Sequence, residues 1–231
     1  MLKYILAIII FGVIIFIHEF GHFFVAKLCG IKVNKFALGM GPKILKKQIG
    51  ETEYSLRLFP VGGFCAMEGE DQESENSRAF GNKPVWKRMF VIVAGAFMNI
   101  LLGFVLIVIL TCMRSAVPST IVGGFSTQSE TSEVITAQSY ECGLREGDEI
   151  IKMDGMRIFT PSDLSYQLYS DDDGKFDIVV KRDGKKITLN DVIFHDSATD
   201  SVIDFQIKGL NKNPLNVLAF SGKDTVSTAR S

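Results

Sequence analysis

The sequence has little of what usually decides a fold or a function. Its four cysteines, Cys29, Cys65, Cys112 and Cys142, form no C-x-x-C pair, which excludes both a zinc ribbon and a disulfide framework. The net charge is only −1 and no basic patch carries interleaved aromatics, so nucleic acid is excluded as the main partner. Beyond two long apolar blocks there is no third run of 18 apolar residues that would make another membrane span. No small-x-small cleavage site follows the N-terminal apolar run, so despite Lys3 ahead of it the run reads as a retained membrane helix, not a signal peptide. Histidine is scarce as well. The chain has three, and two of them lie inside that first apolar run.

Tyr4 to Ala26 is interrupted mainly by His18, Glu19 and His22. At about 1.5 Å per residue, a helix over this stretch is roughly 35 Å long and spans a bilayer with some tilt. His18 and His22, four apart, project from one face of such a helix, with Glu19 beside them where a zinc enzyme's general base stands. Ionisable groups at membrane depth are costly and by default mark function. Gly21, between the histidines, would let another segment approach closely.

The second apolar block, Met89 to Met113, carries no charge and is read as a second spanning helix. Asn99 is its one strongly polar residue, with Gly95 and Gly103 on nearly the same face. Asn99 either bonds a substrate backbone or an active-site group, or makes an interhelical packing bond; the sequence leaves both open.

Between the spans, residues 27–88 hold 11 Lys and Arg, including Lys43, Lys46, Lys47 and the pair Lys87-Arg88. The positive-inside rule makes this region cytoplasmic and puts the N-terminus and everything after the second span on the outer face. Within it, Lys32 to Phe36 and Glu53 to Phe59 have strand character. Gly39-Met40-Gly41-Pro42 and Pro60-Val61-Gly62-Gly63 are turn-formers expected to bound them in a short hairpin at the membrane surface. That hairpin is a plain connection, or its edge pairs with an extended peptide.

From Arg114 on, 13 Lys and Arg stand against 18 Asp and Glu, a soluble character with net charge −5. Cys142 to Ile151 is a tight turn feeding a strand. Asp154-Gly155 and Asp183-Gly184 are hairpin turns, the second joining Phe176–Arg182 to Lys185–Leu189. Thr160-Pro161-Ser162-Asp163 starts a helix that should run to about Tyr169. These elements, with a further strand near Val202 to Ile207, are expected to make a small, partly open barrel.

Taken together the motifs are specific. H-E-F-G-H in the first span, G-M-G-P and F-P-V-G-G-F in the loop, and V-A-G-A-F-M-N in the second span resemble the site-2 protease family of intramembrane zinc metalloproteases. C-G-L-R-E-G-D-E-I-I-K-M-D-G resembles the PDZ domain that bacterial members carry outside the membrane. The resemblance implies a multi-pass, α-helical membrane protein with a cytoplasmic membrane-associated β-loop and an extracytoplasmic α+β PDZ-like domain. Its expected parts are a protease core over 1–113 (spans 4–26 and 89–113, loop 27–88), a PDZ-like domain over 114–195 and a C-terminal segment over 196–231.

By resemblance, His18 and His22 are zinc ligands and Glu19 is the general base. Asn99, Gly62 and Gly63 contact substrate. Ala96 replaces a usual proline, and Cys142 a common alanine. The family's third ligand, an aspartate within an N-x-x-P-x-x-x-L-D-G motif, has no counterpart here, so the chain is expected to stop short of the helix that carries it. The implied activity is zinc-dependent cleavage of transmembrane segments of regulators or signal-peptide remnants in the lipid bilayer, that is, regulated intramembrane proteolysis. The PDZ-like domain would read peptide C-termini, in a groove between the strand near Val134 to Ala137 and the helix containing Leu164 and Leu168. The alternative, which the missing ligand favours, is a non-catalytic, membrane-anchored PDZ binding module.

Overall fold

In lipid a backbone must satisfy its own polar groups, and a run of Ile, Leu, Phe and Val without proline does so as a helix. Leu2–Leu28 is such a helix, α1, in the computed structural model, which describes residues 1–125, 137–170, 174–194 and 203–230. It closes in a Schellman turn, with Gly30 at a left-handed φ of 70°, its N–H on the Lys27 carbonyl and the Ile31 N–H on the Ala26 carbonyl. The second helix, α2, is Val85–Met113. Both are long and apolar enough to cross a membrane. The chain divides into two units, Met1–Gly103 and Phe104–Ser231, each described by itself below.

In the first unit, β1 (Val33–Ile49) and β2 (Thr52–Met67) form a hairpin much longer than the expected one. The two Gly/Pro clusters do not bound strands. They lie inside β1 and β2 and bend them. As a result the hairpin folds back on itself. Residues 33–38 pair antiparallel with 63–67, residues 43–49 pair with 52–57, and Lys35 to Leu38 also align with Glu53 to Leu56 with both numbers rising. The first part of β1 is therefore flanked on both sides by β2, and the stretch Gly63–Met67 forms an outer edge. Gly39 shows why glycine stands at the bend: φ is 84°, and a Cβ would lie 2.5 Å from the Phe59 carbonyl oxygen.

This folded hairpin lies along α1. Phe23 meets Phe36 and Tyr54 at centroid distances of 5.1 and 5.9 Å, and Phe16 meets Phe36 at 6.2 Å. At the hairpin's tip, Glu51 accepts from Lys27 Nζ at the end of α1 (2.7 Å) and from both terminal nitrogens of Arg78. The Arg78 and Lys27 bonds hold its carboxyl down at about 2.

The second unit is α+β. Its main sheet has the order β5-β4-β6-β7, made of Met156–Arg157, Glu149–Met153, Lys175–Arg182 and Lys185–Ile193. A second pair joins β3 (Val122–Phe125) to β8 (Phe205–Ile207). The two sheets touch through the Ile121–Glu149 bridge, and Val122, Leu144, Ile150, Met153, Leu164, Ile178 and Val180 fill the space between them. Both Asp-Gly turns have positive φ at each residue (46° and 78°, 49° and 80°), as the tightest hairpins require. Of the expected strand at 202–207, residues 205–207 are strand and Val202 lies outside the described residues.

α4 (Pro161–Ser170) starts where expected, closed by a reciprocal cap in which Asp163 Oδ2 accepts from the Thr160 N–H at 2.9 Å. Two further helices were not expected: α3 (Gln138–Glu141) and α5 (Pro214–Arg230), the latter capped by Asn213 Oδ1 on the Asn216 N–H at 2.7 Å. α5 docks on α4 through Asp163, whose Oδ1 takes Ser227 Oγ at 2.6 Å and Arg230 at 2.8 Å. Burial would raise this carboxyl, but the bonds from Ser227 and from the Phe159 and Thr160 N–H groups, with the Arg230 charge, outweigh it and hold it below the usual range.

The turn singled out in the sequence is anchored by Asp148, which is fully buried. Arg182 meets it with Nε on Oδ1 and a terminal nitrogen on Oδ2, both at 2.7 Å, and also reaches the Gly143 carbonyl. Two outcomes follow for this unit. Arg182→Leu strands a buried carboxylate and should cost about 3 kcal/mol in urea unfolding, the low end for breaking a buried pair because the Arg side is partly exposed. The Asp163 contribution should be full above the unfolded carboxylate pKa and fade as pH falls below about 4, read as acid release of α5 that Asp163→Asn removes.

Candidate metal centre

The helical geometry of α1 stacks His18 and His22 one turn apart, with ring centroids 4.8 Å apart and planes at 81°. Their Nε2 atoms converge to 3.2 Å. Two nitrogens on a tetrahedral zinc at about 2.0–2.1 Å lie about 3.3 Å apart, so this pair has the spacing of two zinc ligands. His22 Nδ1 is 2.7 Å from the Val91 carbonyl oxygen of α2. A carbonyl only accepts, so Nδ1 carries the proton and Nε2 is left as the lone-pair nitrogen that a metal takes.

Small residues on both helices make this approach possible. A Cβ on Gly21 would lie 2.6 Å from the Ala94 carbonyl oxygen, so the helix backbones nearly touch there. A Cβ on Gly95 would lie 2.5 Å from His22 Nε2 and 2.7 Å from His18 Nε2. The missing side chain therefore leaves open the space that both nitrogens face. Asn99, one turn further, places Nδ2 at 3.2 Å from His18 Nδ1, while its Oδ1 is buried without a partner among the described residues.

Glu19 faces the hairpin. A Cβ on Gly63 would lie 3.2 Å from Glu19 Cγ, so the edge of β2 passes directly over the carboxylate's stem. A cavity of about 300 Å3 is lined by Glu19, His22, Phe64, Cys65, Met67 and Val91 among others. Burial, with the charges of Glu19 and Glu70, pushes the Cys65 thiol up to about 12, so it stays protonated and is no nucleophile.

Of the residues picked from sequence, His18, Glu19, His22, Asn99 and Gly63 come together. Gly62 does not join them. It sits in the hairpin bend at φ 85°, and a Cβ there would meet the Met40 side chain. Sequence reasoning misses Val91 and reads Gly95 only as a packing residue. The i, i+4, i+8 spacing of 91, 95 and 99 was the available signal, but a backbone carbonyl leaves no trace in residue identity. Among the described residues, no group of three His, Cys, Asp or Glu side chains is placed to hold a metal, and His195 lies outside them.

Two imidazoles at metal-ligand spacing, with a carboxylate on the same turns of a helix long and apolar enough to cross a membrane, define the class: a membrane protein with a candidate histidine metal site. The particular family follows from comparison. Residues 6–216 match the model of peptidase family M50, and the chain belongs to that family, the site-2 proteases. It is 40% identical over 184 residues, 80% of this chain and 52% of the relative, to a Clostridium perfringens protein named "Putative zinc metalloprotease". A Clostridium acetobutylicum protein of the same name is 37% identical over 187 residues (80% and 52%). The Bacillus subtilis "Regulator of sigma-W protease RasP" is 27% identical over 264 positions (79% and 61%). The chain thus spans about half the length of the first two relatives.

Gly95→Ala tests the space directly. The added methyl should weaken zinc binding about thirtyfold, corresponding to about 2 kcal/mol of overpacking, in a chelator competition on the detergent-solubilised chain.

Proposed function

We propose that this chain forms the histidine-bearing core of an intramembrane zinc endopeptidase. The observation that carries the reading is the 3.2 Å pair of Nε2 atoms with Glu19 beside it, on a helix of membrane length. His18 and His22 hold the ion. Zinc there supplies Lewis acidity toward water and the scissile carbonyl. Glu19 takes a proton from water on its carboxylate and returns it to the departing amine.

The substrates are transmembrane segments of membrane-bound regulators or signal-peptide remnants. A substrate helix hides its carbonyls in its own hydrogen bonds and has to unwind before it is cut. The outer edge of β2 over Gly63–Ala66 runs beside Glu19 and presents its outward side to an extended segment for strand addition, offsetting that cost. Gly63 shapes that edge, and Gly62 acts from the bend. The bend exposes Met40, Leu58, Phe59 and Val61, and its Pro60 carbonyl comes within 3.5 Å of a Cβ built on Gly12 in mid-α1, which supports a hairpin dipping into lipid from the cytoplasm.

By the positive-inside rule, residues 27–88 are cytoplasmic, and the N-terminus and the chain after the second span lie outside. The α+β unit after the second span acts as a PDZ-like domain toward peptide C-termini or bulky ectodomains. Part of its expected groove, residues 134–136, lies outside the described residues, and Leu164 and Leu168 turn into the core.

The deciding experiment is cleavage of a model membrane substrate by the full gene product. Glu19→Gln should lower it by at least about 10²-fold while leaving the protein inserted and zinc-loaded, because general-base catalysis contributes on that scale. Unchanged cleavage overturns the reading. The second reading, a non-catalytic PDZ anchor, is favoured by the lack of a third ligand among the described residues, and it predicts no stoichiometric zinc in the purified protein.

A further inference from the structure

The stripe Val91, Gly95, Asn99 on α2 serves both histidines, and it treats them alike. Val91 holds His22 by the ring nitrogen nearer the backbone, Nδ1, through a carbonyl that accepts only. Gly95 clears the space before both Nε2 atoms. Asn99 stands at His18 Nδ1 about two turns beyond Val91, in the position equivalent to that carbonyl, with an amide that presents either a donor or an acceptor.

We propose that Asn99 is a positioning residue for His18. Its side-chain oxygen accepts from His18 Nδ1–H and so keeps His18 Nε2 as a lone-pair nitrogen, the counterpart of what Val91 does for His22. This rests on the reading of His18 and His22 as metal ligands.

The two amide orientations can be decided by their consequences. With Nδ2 toward His18, Nδ1 has to accept, the ring proton sits on Nε2, and Nε2 is lost to a metal; Oδ1 is then the buried atom without a partner. A 180° turn of the amide exchanges O and N with almost no change of shape. Oδ1 then takes the Nδ1 proton, and both histidines present lone pairs across the 3.2 Å gap. The turn merely converts the orphan from acceptor to donor, so burial does not choose between the two. The demand for two Nε2 lone pairs does. A metal-bound imidazole whose other nitrogen donates to a fixed oxygen is also held in ring orientation and is a better base toward the ion.

The role separates cleanly from a packing bond or a substrate contact. Asn99→Leu is nearly isosteric and costs nothing in lipid, so the helix should insert as before. Asn99→Asp keeps an acceptor and abolishes the donor. Zinc affinity is measured on the detergent-solubilised full chain by competition with a chromophoric chelator, with no substrate present. The expected result is a 10- to 100-fold loss for Asn99→Leu, the usual range for an outer-shell partner, and recovery to within a few-fold of the parent for Asn99→Asp. Parent-like affinity in Asn99→Leu overturns the proposal. So does an Asn99→Asp protein as weak as Asn99→Leu, since that would make the amide N–H2 the needed group. His18→Ala is the control that keeps the two readings apart. If it binds zinc as well as the parent, the metal-ligand reading itself fails. If it loses zinc while Asn99→Leu does not, only the role of Asn99 fails.

Discussion

The backbone contact between α1 and α2 at Gly21 and Ala94 is the constraint on which the first unit depends. Only where a glycine faces a carbonyl do two helices come close enough for a main-chain oxygen, Val91 O, to reach an imidazole at 2.7 Å. From that approach follow the fixed tautomer of His22, the open space at Gly95 and the reach of Asn99 to His18. In water such contacts compete with solvent. Along an apolar helix they have no competitor, so a few small residues are enough to set the site's geometry.

The hairpin meets the same helix on another side, and its fold-back explains a sequence feature that otherwise looks wasteful. Two Gly/Pro clusters in mid-strand weaken a regular ladder. Here they bend both strands, bury the first part of β1 between two stretches of β2, and carry the free edge at Gly63 to the stem of Glu19. Glu19, the histidine pair and the edge thus meet at one turn of α1.

Much of this was legible in the sequence, for physical reasons that differ by element. The helices were readable because an apolar run in lipid has one hydrogen-bonding solution. The His-Glu-His face followed from helical periodicity, and both Asp-Gly turns and the start of α4 from local turn and cap chemistry. The hairpin's length was missed because Gly39 and Pro60 signal a turn equally well when they bend a strand as when they end it. α5 was missed because the polar sequence from Ser221 to Arg230 gains its stability from docking, through Ser227 and Arg230 on Asp163, which no local pattern reveals. At the metal centre, side chains could be read from sequence, but not the Val91 carbonyl or the empty place of a Cβ.

X-ray absorption on the zinc-loaded protein decides whether His18 and His22 hold zinc jointly through Nε2. Joint ligation gives imidazole nitrogens at about 2.0–2.1 Å, with the characteristic outer-ring scattering halved in His18→Ala and in His22→Ala. A zinc shell of sulfur near about 2.3 Å, or a histidine signal that survives both substitutions, would contradict it.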